Sequence, residues 1–100
     1  MRSAWVMQLK PGQEAEYKRK HDEIWPEMIE MIKAQGISNY SIYRHGLLLF
    51  AHLERDESFP ADAGSPELAQ RWQDWMGPHL ETNADGSIRA QSVEEVFRLD

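Results

Sequence analysis

One hundred residues suit one domain with a thin core, since a chain of this size buries only about two-thirds of the surface that it exposes when unfolded. Seventeen acidic residues against eleven basic ones leave a net charge of −6, which argues against a nucleic-acid or anionic-membrane surface, because such surfaces need clustered Lys and Arg. Cysteine is absent, and that excludes disulfides, thiolate metal sites and a cysteine nucleophile.

No apolar run approaches the roughly 20 residues of a membrane-spanning helix. The N-terminal MRSAWVMQLK has too short an apolar part for a signal peptide. The expectation is a soluble, cytoplasmic protein.

In chain order, Ser3 to Lys10 alternates, with Trp5, Met7 and Leu9 on one side and Ala4, Val6 and Gln8 on the other, as in a strand covered on both faces. Pro11-Gly12 ends it. From Gln13 to Gln35 the apolar positions Tyr17, Ile24, Met28, Met31 and Ile32 recur near the helical period. Pro26 falls inside this stretch. Because proline lacks an N–H and clashes with the preceding turn, a kink or break is expected close to Asp22–Trp25, with Pro26 opening a second segment. Gly36 is the expected stop. Asn39 to Arg44 and Leu47 to Glu54 read as two strands of a hairpin turning at His45-Gly46. Ser58 to Pro66 reads as a loop. Ser65 then caps a helix, with Pro66 at its first position, that runs to about Met76 and stops at Gly77-Pro78. Leu80 to Gln91 is polar and loop-like, and Val93 to Leu99 reads as the last strand.

The order strand, helix, strand, strand, helix, strand is the ferredoxin-like βαββαβ arrangement, an α+β fold filling residues 1–100 as one domain. With helices on one sheet face, the other is expected to need cover as well, because Trp5, Leu49, Phe50 and Phe97 are too apolar to leave wet. A second copy packed sheet to sheet, making a dimeric α+β barrel, supplies it.

Candidate chemistry begins with Tyr17 and His21. Spaced i and i+4, they share one helix face beside Ile24 and Met28. A titratable ring near apolar groups and a phenol suits a general acid or base. Spacing alone leaves the plainer reading open, a surface or satisfied core histidine. Four tryptophans add flat rings fit either for the C–H face of a sugar or for a core, and Trp72 and Trp75 share a helix face. His21, His45, His52 and His79 have no metal-ligand spacing, and no phosphate-loop or dinucleotide fingerprint occurs, so neither a metal nor a cofactor is expected. The mixed charge run from Glu14 to Glu23 reads as a solvated helix face.

The segments WVMQLKPGQEAEYKRKHDEIWPEM, SNYSIY, LLFA and QRWQDWM, the N-x-D-x-S loop at Asn83-Asp85-Ser87 and the closing EEVFRL together resemble the L-rhamnose mutarotase family. The likeness runs in register along the whole chain, and its most specific piece is the Y-x-x-x-H-x-x-I-W-P pattern from Tyr17 to Pro26. The resemblance implies a small dimeric, cofactor-free isomerase of ferredoxin-like fold that interconverts the α and β anomers of free L-rhamnose. It implies a proton-transferring His21, substrate-binding Tyr17 and Tyr40, and a substrate-binding tryptophan pair at Trp72 and position 73. This chain departs there by carrying Gln73. The hairpin at His45-Gly46 is also shorter than the family's, and the loop before Trp72 differs. Two other activities suit the same fold: a cofactor-free monooxygenase or haem-degrading protein, and a non-catalytic sugar-binding dimer.

Overall fold

A computed structural model describes all residues from Met1 to Asp100. Its elements are β1 (Arg2–Gln8), α1 (Glu14–Asp22), α2 (Pro26–Ala34), β2 (Ile37–His45), β3 (Leu48–Arg55), α3 (Pro66–Met76) and β4 (Gln91–Val93), with a 3-10 turn at Gly77–His79 after α3. The strands form one antiparallel sheet in the order β2-β3-β1-β4. This is the ferredoxin-like arrangement, with its first helix in two pieces.

The break between α1 and α2 lies where Pro26 requires it. Trp25 is extended (φ −62°, ψ 136°), the conformation to which a residue before proline is confined, and Pro26 is the first residue of α2. α1 carries Glu14 and Glu16 in its first turn and Arg19, Lys20 and His21 in its last, complementing the helix dipole. Its charge run is a solvated face laced by Lys18–Asp22, Arg19–Glu16 and Arg19–Glu23 ion pairs at 2.7, 2.9 and 2.6 Å. Such exposed pairs contribute only a few tenths of a kcal/mol each. α3 begins as its sequence dictates, with the Ser65 hydroxyl accepting a hydrogen bond from the Leu68 N–H at 3.2 Å and Pro66 in the first turn.

The core lies between the helices and one sheet face, where Met7, Leu9, Leu49 and Ala51 meet Tyr17, Met76 and Leu80. Leu9, Leu49, Met76 and Leu80 are fully buried, each worth roughly 2 kcal/mol of apolar transfer. Trp5 and Leu49 belong to this helix-covered face: Trp5 pairs with Ala51, and Met7 with Leu49. The outer face therefore owes its apolar character to other residues. Val6 pairs with Phe50 and Phe50 with Tyr43, while Val93 lies opposite Ala4.

Several expected boundaries move. The hairpin turns at Gly46-Leu47, one residue later than expected, since His45 pairs with Leu48. Gly46, at φ +60°, takes the first central position that a type II′ turn reserves for glycine. The last strand is short, Gln91–Val93, and Glu94 to Asp100 runs on outside any regular element with Val96, Phe97 and Leu99 at least 80% exposed. The alternation there signals a strand, but the ladder with β1 stops at Val93 opposite Ala4, and Arg2 meets the remaining tail through ion pairs to Glu95 and Asp100 at 3.5 Å. Finally, Leu80 is buried in the core and paired with Leu9, and Asn83, Asp85 and Ser87 close a tight turn. The Asp85 carboxylate accepts from the Ser87 N–H and hydroxyl at 3.0 and 2.6 Å, so the N-x-D-x-S motif is a turn-forming device.

β2 starts at Ile37, two residues earlier than expected, and bulges at once. Ser38 pairs with Glu54 but Ser41 pairs with His52, so Asn39 and Tyr40 together oppose Leu53. Asn39 supplies the left-handed backbone, φ +49°, and its amide donates to Glu54 at 3.0 Å. The extra residue reverses the alternation. Without it Tyr40 would share the outer face with Ser38 and His52; with it Tyr40 joins Ile42 on the side of the helices.

Gly36 closes α2 at φ +77°, where an added Cβ would lie 2.6 Å from the Asp56 carbonyl oxygen and 2.9 Å from the Phe59 Cβ. Gly36→Ala is expected to destabilise the fold by about 2 kcal/mol or more, from left-handed backbone strain plus this clash. Urea unfolding followed by circular dichroism measures it; an unchanged midpoint would contradict the packing around this turn.

Candidate active site

α1, α2, β2 and α3 enclose a cavity of about 820 Å³ between the helices and the β2 side of the sheet. Tyr17 and His21 reach it from α1, Met28 from α2, Tyr40 and Ile42 from β2, and Trp72 from α3. The i, i+4 pair is thus on the inward face of its helix.

His21 sits among rings. Its centroid is 4.4 Å from that of Tyr17, tilted by 38°, and 5.4 Å from that of Trp72, which it meets nearly edge-on at 88°. Its Nδ1 is 3.1 Å from the backbone carbonyl oxygen of Tyr17. A carbonyl only accepts, so Nδ1 carries the hydrogen in the neutral ring and Nε2 is left as an acceptor. Burial among these groups lowers the ionisation of His21 below the ordinary 6.5, opposed in part by the Tyr17 carbonyl and the Asp22 charge. At neutral pH the ring is therefore an uncharged base.

The two phenols are tuned the other way. Tyr17 is buried, and desolvation, with Tyr40 nearby, raises its ionisation far above the usual value. The ring of Tyr40 is part-exposed, packed edge-on against Trp5 at 5.9 Å, while the protein around it likewise holds its hydroxyl protonated. Both are hydrogen-bond donors that keep their protons. The lining thus offers a bare nitrogen and two hydroxyls together with an indole and the apolar side chains of Met28 and Ile42. Lys18, Asp22 and Arg44 add charge to its lining. No three His, Asp or Glu side chains converge as metal ligands.

Four of the five expected site residues, Tyr17, His21, Tyr40 and Trp72, line this one cavity. Gln73 does not. One step along α3 turns a side chain by about 100°, and Gln73 projects into a separate polar cleft of about 380 Å³ with Gln70, Asp74, Asp85 and Ser87. Met28, Ile42 and Arg44 are wall residues as well, and none of them stood out as such in the sequence. Helical period marked Met28 as inward, but nothing local distinguishes a wall from a core.

The other histidines lie elsewhere. His45 ends β2 and His52 is in β3. His79, expected in a loop, is buried in the 3-10 turn, with Nδ1 2.6 Å from the Gln13 amide oxygen and Nε2 unpartnered. Burial and the charge of Lys20 hold its ionisation below 6.5.

The L-rhamnose mutarotase family model matches residues 2–99. The L-rhamnose mutarotase of Bacteroides thetaiotaomicron is 40% identical, covering 99% of this chain and 98% of its own. That of Bacillus subtilis is 42% identical with the same coverage. A crystal structure of L-rhamnose mutarotase from Formosa agariphila superposes with a TM-score of 0.87 at 33% identity, covering 100% of this chain and 99% of its own.

The site geometry makes His21 a neutral ring with hydrogen on Nδ1, titrating below 6.5. His21 and His79 both resist charging in the folded state, so the unfolded chain binds more protons below 6.5. Stability is then fully present above 6.5 and is lost as pH falls toward the lowered values. Nitrogen-15 NMR of the imidazoles reads both tautomer and titration; a bare Nδ1 on His21, or ionisation above 6.5, would contradict the arrangement.

Proposed function

This chain belongs to the L-rhamnose mutarotase family, and we propose that it catalyses the interconversion of the α and β anomers of free L-rhamnose with His21 as its proton-transfer group. The observation that carries the reading is the family match over nearly the whole chain combined with one cavity that gathers His21, Tyr17, Tyr40 and Trp72. The monooxygenase, haem-degrading and non-catalytic alternatives draw no support from the comparisons.

Mutarotation opens the ring hemiacetal, lets the aldehyde turn about its C1–C2 bond, and closes the ring on the other face. In the proposed course Nε2 of neutral His21 takes the proton of the anomeric hydroxyl. The C1=O double bond forms from those electrons, the C1–O5 bond breaks, and its pair goes to O5. The imidazolium then gives the proton to O5. The two oxygens share C1, so one nitrogen can serve both in turn. Ring closure runs the same steps backwards. The lowered ionisation of His21 favours this cycle, because the ring starts neutral and its conjugate acid releases the proton readily. The protonated phenols of Tyr17 and Tyr40 would donate hydrogen bonds to the oxygens as charge develops on them. Trp72 would cover the apolar side of the sugar, and Met28 and Ile42 suit the methyl group that a 6-deoxy sugar carries. Gln73, turned to the other cleft, leaves the aromatic contact to Trp72 alone.

The proposal extends to assembly and place. The outer sheet face bears Phe50 and Tyr43, 41% and 65% exposed, with Leu48 and Val93 beside them. This is an apolar area suited to a second copy packed sheet to sheet. We read the protein as a homodimer of one-domain chains working in the cytoplasm, whose reducing conditions suit a cysteine-free sequence.

In saturation-transfer NMR, His21→Ala should slow catalysed L-rhamnose anomer exchange by about 10²-fold or more while circular dichroism shows a folded protein. Tyr17→Phe should cost less, and His45→Ala and His52→Ala little. The wild-type rate should fall with acid as His21 charges below 6.5. L-rhamnose should be preferred to L-mannose, which differs from it only by a hydroxyl on C6, by roughly 10–200-fold, the range for a difference of one small group. A folded His21→Ala protein with wild-type exchange would end the assignment of His21.

Sedimentation at micromolar concentration should return twice the 11.7 kDa chain mass. A monomer with native near-ultraviolet tryptophan signal would refute the sheet-to-sheet dimer.

A further inference from the structure

The W-P pair that follows His21 shapes the backbone, yet the Trp25 ring has no part in the cavity lining. It is nonetheless one ring away from His21. Trp25 and Trp75 stack with centroids 5.1 Å apart and planes 27° apart. Trp72 stands edge-on to Trp25 at 5.3 Å and 88°, and it meets Trp75 at 5.5 Å. The indole of Trp72 is thus held between His21 on its cavity side and a stacked pair behind it.

The stacked pair is itself fixed from both sides. The Arg71 guanidinium lies 5.0 Å from the Trp25 ring and the Lys20 ammonium 4.5 Å from the Trp75 ring. Lys20 also donates to the Trp75 carbonyl at 2.8 Å, tying α1 to α3. The backbone of Trp25 is confined by Pro26, and its carbonyl accepts from the N–H groups of Met28 and Ile29 at 3.0 and 3.2 Å.

Resting on the mutarotase reading of the same cavity, we propose that Trp25 is a positioning residue, which holds the Trp72 indole edge-on to the His21 imidazole and thereby fixes both the sugar-covering ring and the proton-transfer ring. Its contribution reaches the sugar only through Trp72. Aromatic edge-to-face contacts are directional, so replacing the indole by an aliphatic side chain keeps apolar burial while removing the orientation. A small displacement of groups around a reacting atom lowers rate far more than it lowers stability.

The test compares Trp25→Phe and Trp25→Leu with the wild-type protein in two measurements. One is L-rhamnose anomer exchange at sub-saturating sugar, and the other is the NMR titration of His21 without sugar. Exchange should fall about tenfold in Trp25→Leu and by less in Trp25→Phe, where a smaller ring shortens the stack. The His21 ionisation should rise toward 6.5 in the same order, as a loosened Trp72 lets water reach the imidazole. A purely structural role would lower the melting temperature of both variants and leave the His21 titration unmoved. That result, or wild-type exchange in a folded Trp25→Leu protein, overturns the proposal. Should Trp25→Leu not fold, the Trp25→Phe comparison carries the same two outcomes. If the wild-type protein accelerates no exchange, the mutarotase reading fails, whereas the sugar-free titration still judges Trp25.

Discussion

The constraint on which the rest of the structure depends is the missing N–H of Pro26. A continuous helix from Gln13 to Gln35 would run straight across the sheet. The proline ends α1 at Asp22 and restarts the chain in α2, with Trp25 extended between them. His21 consequently stands in the last turn of α1, at the edge of the cavity rather than in mid-helix. Trp25, four residues on, leaves the helical cylinder and lies against α3. One imino acid thus sets the distance between the proton-transfer ring and the aromatic cluster that flanks it.

Desolvation then selects the chemistry. The same surroundings that disfavour charge on His21 also disfavour it on Tyr17 and Tyr40, but the outcomes are opposite in function. A histidine kept neutral is a base. A phenol kept neutral is a donor. Mutarotation asks for both in one place and for no net change in protons or electrons, since every proton removed is returned. A half-buried imidazole with one nitrogen committed to the Tyr17 carbonyl meets that requirement with few parts.

Gln73 shows how far residue adjacency differs from adjacency in space. Trp72 and Gln73 are neighbours in the chain, but α3 gives them to two clefts of different character, one apolar and aromatic, the other lined by Gln70, Asp74 and the Asp85 turn. A change at position 73 therefore alters the second cleft directly and the His21 cavity only through Trp72.

Much of this protein was legible in local signals. Pro26 announced the helix break, Ser65-Pro66 the start of α3, and the i, i+4 spacing put Tyr17 and His21 on one face. Each of these acts within a turn of helix, where the covalent chain itself brings the groups together. The family resemblance reached Tyr40 and Trp72, which no local rule would have joined to His21. What the tertiary structure alone decided depends on pairing between distant segments. The bulge at Asn39-Tyr40 is visible only against β3, and it is what turns Tyr40 inward. Trp5 and Leu49 lie under the helices because the register of β1 on β3 puts them there, and the EEVFRL ending finds only the last residue before it, Val93, in a strand. Alternation in a sequence says that two faces exist. Which face is covered, and by what, is settled by hydrogen-bond register and packing between elements tens of residues apart.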